Sequence, residues 1–110
     1  MGATNEGLSR SAFLVLLALA DRPRHGLGIV ERVEAIARGR MKMGPGTLYG
    51  TLQKLAASGL IRETSDPPDP DDDDSRRRYY KLTPRGDKAL REEAGRLRTL
   101  VDAAAISHLL

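Results

Sequence analysis

The chain has 110 residues, of which 40% are hydrophobic and 30% charged, a balance typical of one soluble globular domain with a modest core. It contains no cysteine, which excludes disulfides, thiolate metal sites and a cysteine nucleophile. The formal net charge is +3, but six aspartates lie within residues 66–74 with no basic residue among them, so the rest of the chain carries +9. So basic a body favours a polyanionic partner, most often nucleic acid, although a purely solubilising surface would have the same composition.

The first predicted element is a helix over about 9–20, which Ser9 can cap. Its apolar run, "FLVLLALA" at 13–20, resembles the core of a secretion signal, but a single basic residue precedes it. The run is also much shorter than the roughly 20 apolar residues that span a bilayer. We therefore expect a buried helix, no signal peptide, no membrane span and a cytoplasmic protein whose first eight or so residues are flexible.

A second helix is predicted over about 25–38, after Pro23 and Gly26 interrupt the first. Apolar residues recur in it at helical spacing, namely Ile29, Val33 and Ile36. Gly39 ends this helix, and a short basic connector, "RGRMKMGPG" at 38–46, leads to the next element.

A third helix is predicted over 45–58, with Pro45 in the first turn, where its missing N–H costs nothing. One side carries an apolar stripe of Leu48, Leu52 and Leu55. The opposite side is small and polar and comprises Gly46, Thr47, Gly50, Gln53 and Lys54. Because two of these residues have no side chain, this face can approach a partner closely.

Two strands, at 60–64 and 78–83, are predicted from alternating and β-prone residues. They form a hairpin whose loop is the acidic stretch. Like charges at Asp71–Asp74 repel one another, so we expect this loop to be extended and solvated.

Thr83 caps and Pro84 opens a last helix, from 84 to about 106. Apolar residues recur along it at intervals of four and three, a seam suited to packing on another helix: Leu90, Ala94, Leu97, Val101 and Ala104. The pattern alone leaves two alternatives open, which are dimerisation through this seam and packing back on the chain's own first helix.

Together these elements predict an α+β fold that is mostly α, a winged helix-turn-helix of three helices and a two-stranded β-wing, followed by a C-terminal helix. Three blocks, "HGLGIVERVE", "GPGTLYGTLQKLAASGLI" and "RRRYYKLTPRGDKAL", resemble in order and spacing the PadR family of bacterial transcriptional regulators. The resemblance covers roughly residues 12–100. The short tail resembles the small subfamily, in which a single C-terminal helix makes the dimer.

The resemblance implies a homodimeric repressor, with residues 1–83 binding DNA and residues 84–110 dimerising through the seam. The third helix would enter the major groove of an inverted-repeat operator, and the wing would contact the flanking backbone. The residues expected at double-stranded DNA are Lys42, Gly46, Thr47, Tyr49, Gly50, Lys54, Arg76, Arg77 and Arg78. The alternatives are simple packing for Tyr49 and pairing with the neighbouring aspartates for the arginines.

Two positions depart from the family's pattern. Leu27 stands where a tyrosine usually follows the His-Gly pair, and Gly50 stands where proline is common. The acidic stretch carries a separate hypothesis, because a tip formed by Asp69–Asp74 would be repelled by DNA. We expect the tip to point away from DNA, so that changing Asp71–Asp74 to asparagine raises the affinity for random duplex.

Small members of this family can bind hydrophobic or aromatic effectors in a cleft between subunits. The residues that would line such a cleft are Phe13, Leu16, Leu97 and Val101. Ordinary core packing is the favoured alternative for these residues. The main alternative for the whole protein is a winged helix that binds another protein and has only weak DNA affinity.

No cofactor, metal site or enzymatic activity is predicted. The aspartate spacing at 69–73 resembles a calcium loop but lacks its turn glycine and its final ligand. His25 and His108 lack cysteine partners, so a capping or surface role is expected for them. No serine has a candidate base beside it.

Overall fold

The computed structural model of the chain describes residues 7–65 and 77–110. The elements are α1 Arg10–Ala18, β1 Arg24–His25, α2 Gly26–Ile36, α3 Pro45–Ala57, β2 Ile61–Thr64, β3 Tyr79–Leu82 and α4 Pro84–Ile106. The predicted winged helix-turn-helix fold is confirmed. The expectations for the first six residues, the acidic stretch and Arg76 lie outside the described residues. Within the described ranges, no helix combines the length and apolar character that a membrane span needs.

Side-chain caps begin three of the four helices within the described ranges. The Ser9 hydroxyl accepts the Ala12 N–H at 3.1 Å at the start of α1, and the His25 Nδ1 accepts the Gly28 N–H at 3.1 Å at the start of α2. The capping role expected of His25 is thereby confirmed. At α3 the capping residue is Gly44, which has no side chain, and Pro45 supplies the preset first turn.

The wing contains one strand more than the predicted hairpin. The sheet is three-stranded and antiparallel in the order β1-β3-β2, and β1 contributes the pairs Arg24↔Tyr80 and His25↔Tyr79. The predicted two-stranded wing is corrected to this extent. A strand of two residues has no alternation to detect, and it forms because the edge of β3 offers it a backbone partner.

An aliphatic core lies where α1, α2 and α3 meet. Leu16, Ile29 and Val33 have no exposed surface, and the predicted stripe of α3 closes over them through Leu48, Leu52 and Leu55. On the sheet side, Ile61 is buried, and Tyr79 packs edge-on against the His25 ring with centroids 5.3 Å apart. Burying these side chains stabilises the fold by about 1.5–3 kcal/mol each, so the core alone fixes the orientation of α3.

Arg24 secures the turn between α1 and β1. Its Nε donates to the Ala18 carbonyl at 2.8 Å, near the C-terminal end of α1, and its guanidinium contacts the Asp21 carboxylate at 3.1 Å. Partial desolvation opposes the shift, but the hydrogen bond and charge of Arg24 together hold the pKa of Asp21 below its usual value.

A compact junction joins α4 to the rest of the domain. The Thr83 N–H donates to the Leu60 carbonyl at 3.1 Å, and the Thr83 hydroxyl donates to the Gly59 carbonyl at 2.6 Å while accepting the Gly86 N–H at 3.0 Å. Gly86 lies so close to the chain that an added Cβ would overlap the Leu60 carbonyl oxygen. The end of α3 and the start of α4 are thus fixed to each other.

Candidate nucleic-acid interface

The side of α3 that faces away from the core is open, as its sequence predicts. Gly46, Thr47 and Lys54 are exposed and Gly50 is half-buried, while an added Cβ at either glycine would meet no atom within 4 Å. Tyr49 is 64% exposed, which speaks against simple packing as its role. The helix therefore presents a low, polar surface that another molecule can approach at van der Waals distance.

A cleft of about 420 Å³ separates α3 from the wing. It is lined by His25, Gly26, Leu27, Tyr49, Arg77, Arg78 and Tyr80. Three of the residues expected at DNA thus lie together here, although they come from distant parts of the chain. Leu27 is 58% exposed in this cleft, so the residue that departs from the family's pattern faces the same space.

Tyr80 is a cleft residue that the sequence did not single out. Burial, followed by the negative charge of Glu63, raises the pKa of its phenol. The phenol therefore stays protonated at neutral pH and can donate a hydrogen bond to an anion. Alternation along the strand could have indicated this position, because Tyr79 is buried and the next residue must face the other way.

Within the described residues, one arginine of the wing makes an ion pair, although not with the neighbouring aspartates considered for it. Arg78 lies 3.6 Å from Glu63, so its ion-pair partner is a residue of β2. Both side chains are mostly exposed, and an exposed pair of this kind contributes about 0–1 kcal/mol. Arg78 can therefore exchange this carboxylate for a phosphate at little cost.

The two lysines expected at DNA lie on the other flank of α3. Lys54 lines a cleft of about 320 Å³ between α1 and α3, and Lys42 lines a cleft of about 310 Å³ between α1 and the connector. Thr47 lines both clefts. Cationic residues thus stand on both sides of the exposed face of α3.

The predicted seam of α4 divides into two parts. Leu90 is buried in the domain core, whereas Ala94, Leu97 and Val101 are exposed and Ala104 is half-buried. Further exposed apolar residues follow the same stretch, namely Leu100, Ile106, Leu109 and Leu110. The first part of the seam therefore packs back on the chain, and the second part is left uncovered.

The residues considered for an effector cleft do not share one environment. Leu16 is fully buried in the core and Phe13 packs against that core, while Leu97 and Val101 are exposed on α4. None of the four lines the clefts that flank α3. Across residues 7–65 and 77–110, no group of three or more histidine and acidic side chains is placed to hold a metal ion.

Three packed helices, a small antiparallel sheet and an exposed third helix between basic flanks define the winged helix-turn-helix class of DNA-binding regulators. Residues 15–92 match the family described as "Transcriptional regulator PadR-like family". The chain belongs to this family, and the resemblance of its three sequence blocks is confirmed.

The chain is also similar in sequence to a curated protein and in fold to solved structures. An "uncharacterized 37.1 kDa protein in transposon TN4556" of Streptomyces fradiae is 40% identical over 87 residues, which are 79% of this chain. The chain spans 23% of the length of that curated relative. A PadR family transcription regulator from Clostridium difficile superposes with a TM-score of 0.73 at 21% identity, covering 88% of this chain and 96% of that one. The transcriptional regulator BldR from Sulfolobus solfataricus gives 0.69 at 27% identity, covering 87% and 60%.

Proposed function

We propose that this chain is a sequence-specific, homodimeric transcriptional repressor that binds an inverted-repeat operator. In each subunit, α3 enters the major groove and the wing contacts the backbone beside it. The bound protein then prevents the transcription machinery from using the operator. The protein needs no cofactor and has no catalytic role.

The observation that carries this proposal is the exposed face of α3. Gly46 and Gly50 let the helix backbone come close to base edges, and the Thr47 hydroxyl can bond a base edge or a phosphate. Tyr49 and Lys54 stand on either side of these residues, where they can reach the two backbones. A winged helix that binds another protein does not require a recognition helix with two exposed glycines and basic residues on both sides.

Dimerisation is proposed to use the distal part of α4. Leu97, Leu100 and Val101 expose 37%, 65% and 49% of their surfaces in the single chain, and they recur at helical spacing. Covering them with the same segment of a second copy removes apolar surface from water on both subunits. Two copies paired in this way would present two α3 helices to one face of the duplex.

A small hydrophobic effector that releases the DNA would bind where the second subunit covers Leu97 and Val101. Leu16 has no exposed surface, so it could contribute only by shaping the floor of such a site. Phe13 is half-buried beside the core and is the one aromatic residue among the four.

The experiment that tests the proposal is enrichment of a random duplex library on the purified protein at physiological salt, followed by sequencing of the retained fragments. The expected result is an inverted repeat with half-sites about one helical turn apart. Retention without a motif would leave only salt-dependent phosphate binding. No retention would contradict the proposal and favour the protein-binding alternative.

Two variants make the result specific to α3. Thr47→Ala should change or weaken the enriched motif, because it removes a hydroxyl from the exposed face of α3 and leaves the core untouched. Thr99→Ala on α4 is the matched control, since its exposed hydroxyl bonds only the Gly95 carbonyl of its own helix. An identical motif for all three proteins would contradict base contact by Thr47.

A further inference from the structure

We propose that the start of α1 and the connector before α3 form a second DNA-backbone surface, which grips the strand opposite the one that the wing contacts. This lateral surface consists of Arg10, Ser11, Arg40 and Lys42. The inference rests on the proposed DNA-binding function and adds to it two residues, Arg10 and Arg40, to which neither the sequence patterns nor the family match assigns a role.

The lateral surface adjoins the recognition helix. The cleft between α1 and the connector is lined by Arg10, Arg40 and Lys42, and it shares Ser11 and Thr47 with the cleft between α1 and α3. The two clefts, of about 310 and 320 Å³, therefore adjoin along this flank of α3, and together they are called the trough. Residues from three separate parts of the chain converge on it.

The chemistry of the trough suits phosphate. Among the described residues, its lining contains four cations (Arg10, Arg40, Lys42 and Lys54), the hydroxyls of serine and threonine, and no aspartate or glutamate. Phosphate oxygens accept hydrogen bonds from donor groups of both these kinds. An acidic lining residue would repel the DNA backbone, and none of the lining residues that the structure describes is acidic.

Among the described residues, the cations of the trough also have no competing ion-pair partner. Within the part of the chain that the structure describes, none of these four residues makes an ion pair, and Arg10 and Arg40 are exposed. By contrast, arginines on α4 contact carboxylates of their own helix: Arg91 with Asp87, Arg96 with Glu93 and Arg98 with Asp102. The side chains of the trough can therefore meet a polyanion without first breaking a bond.

The position of the trough fixes which strand it meets. At 100° per residue, Tyr49 lies on one flank of the exposed α3 face, beside the wing, and Thr47 and Lys54 lie on the other. A helix in the major groove has a sugar–phosphate strand on each side, because the groove is only about 12 Å wide. The wing cleft then faces one strand and the lateral surface faces the other.

The test measures how the affinity of the full chain for an enriched duplex depends on salt. In the proposed dimer the double variant Arg10→Gln/Arg40→Gln loses two phosphate contacts in each subunit. The magnitude of the slope of log K against log salt should therefore fall by about 3.6, which is about 0.9 for each lost contact. Its affinity for operator and for random duplex should fall by the same factor, because phosphate contacts carry no sequence information.

Two further proteins isolate the effect. Lys88→Gln/Arg91→Gln removes the same charge from α4, away from the trough and the wing cleft, and should leave the slope near that of the wild type. Arg10→Lys/Arg40→Lys keeps the charge and should restore most of the slope. Thermal melting of all variants checks that the fold is intact.

Strand assignment needs one more measurement. Neutral methylphosphonates placed within a single half-site, in one strand at a time, should weaken the wild-type complex on either strand. The double glutamine variant should lose most of its sensitivity on the strand that the lateral surface faces and keep its sensitivity on the strand that the wing faces. A wild-type chain that binds DNA with a slope unchanged in the double variant would overturn this inference alone. A wild-type chain that retains no duplex would overturn it together with the proposed function.

Discussion

The winged-helix body and the distal half of α4 differ in how much of their apolar surface a single chain buries. In the body, Val15, Leu16, Ile29 and Val33 have no exposed surface, and the sheet and three helices close around them. Beyond Leu97, by contrast, α4 keeps its large apolar side chains in water, with Leu100 at 65% and Ile106 at 80% exposure. A helix is kept amphipathic in this way when its apolar side has a partner outside the chain.

The two regions also differ in how their basic residues are paired: three arginines of α4 have acidic partners, whereas the four cations of the trough do not, among the described residues. Each of three arginines on α4 contacts an acidic residue three or four positions away on the same helix. Around α3, Arg10, Arg40, Lys42 and Lys54 have no such acid among the described residues. Three arginines of α4 are thus paired within their own helix, and its distal half offers apolar surface. The flank of α3 offers cations that have no such partner among the described residues. This division suits two different partners, a second copy of the chain and DNA.

The largest effect is expected where the two regions join. Gly86→Ala should lower the free energy of unfolding by about 3 kcal/mol or more, because the new Cβ would overlap the Leu60 carbonyl oxygen and the backbone must move. Gly95→Ala is the matched control on the same helix, since its Cβ would meet nothing within 4 Å. It should raise stability by about 0.5–1 kcal/mol. Urea unfolding of the three proteins measures both values, and equal losses would show that the junction is not tight.

The next largest effect is expected for dimerisation through the distal half of α4, and the fold of the winged-helix body should not change with it. Val101→Asp should weaken the proposed dimer by about 2 kcal/mol or more, because a carboxylate would be buried in an apolar interface. Far-ultraviolet circular dichroism of the variant should remain that of a folded body, since Val101 is 49% exposed in the single chain. Sedimentation equilibrium gives the dissociation constant. A variant that stays dimeric would place the dimer contact elsewhere.

A smaller effect is expected from the hydrogen bonds of the junction. Thr83→Val keeps the shape of the side chain but removes the cap on Gly86 and the bond to the Gly59 carbonyl. The free energy of unfolding should fall by about 1–2 kcal/mol. Thr99→Val, which removes an exposed hydroxyl bond on the same helix, should change it by less than about 0.5 kcal/mol. Similar losses in both variants would remove the special role given to Thr83.

The smallest effect concerns the ion pair of Asp21 with Arg24. Because the folded protein lowers the pKa of Asp21 below 3.8, the stabilisation is fully present above that value and is lost as the pH falls through the lowered pKa. Asp21→Asn should therefore cost at most about 1 kcal/mol near neutral pH, since Asp21 is exposed. The difference between the two proteins in thermal unfolding should shrink as the pH is lowered below about 4. A difference that persists in acid would point to a contribution other than charge.

Much of the fold is predictable because its signals are local. The apolar spacing of Ile29 and Val33, the proline that opens α3 and the threonine that caps α4 each act within a few residues of the chain. Strand β1 is not predictable in this way, because two residues carry no period and depend on the distant edge of β3. Which part of the α4 seam packs back on the chain could not be predicted either, because it depends on tertiary packing, which buries Leu90 and leaves Val101 exposed.

The candidate site follows the same division. The exposed face of α3 could be predicted, since it is the opposite side of a helix whose apolar stripe is evident. Which distant residues share a cleft could not be predicted, because Tyr49 and Tyr80 in the wing cleft, and Arg10 and Thr47 in the cleft beside α1, lie about 30 positions apart or more. Such contacts are set by how the core orients the helices, and no short pattern encodes them.

The junction at Thr83 and Gly86 has a consequence for how operators are distinguished. Because it holds the start of α4 against the end of α3, the angle between these helices is a fixed property of each subunit. In a dimer joined through α4, that angle and the crossing of the two helices would set the distance between the recognition helices. The number of base pairs between half-sites would then be determined by the protein's backbone, and changing a single glycine far from DNA would alter which operator spacing is accepted.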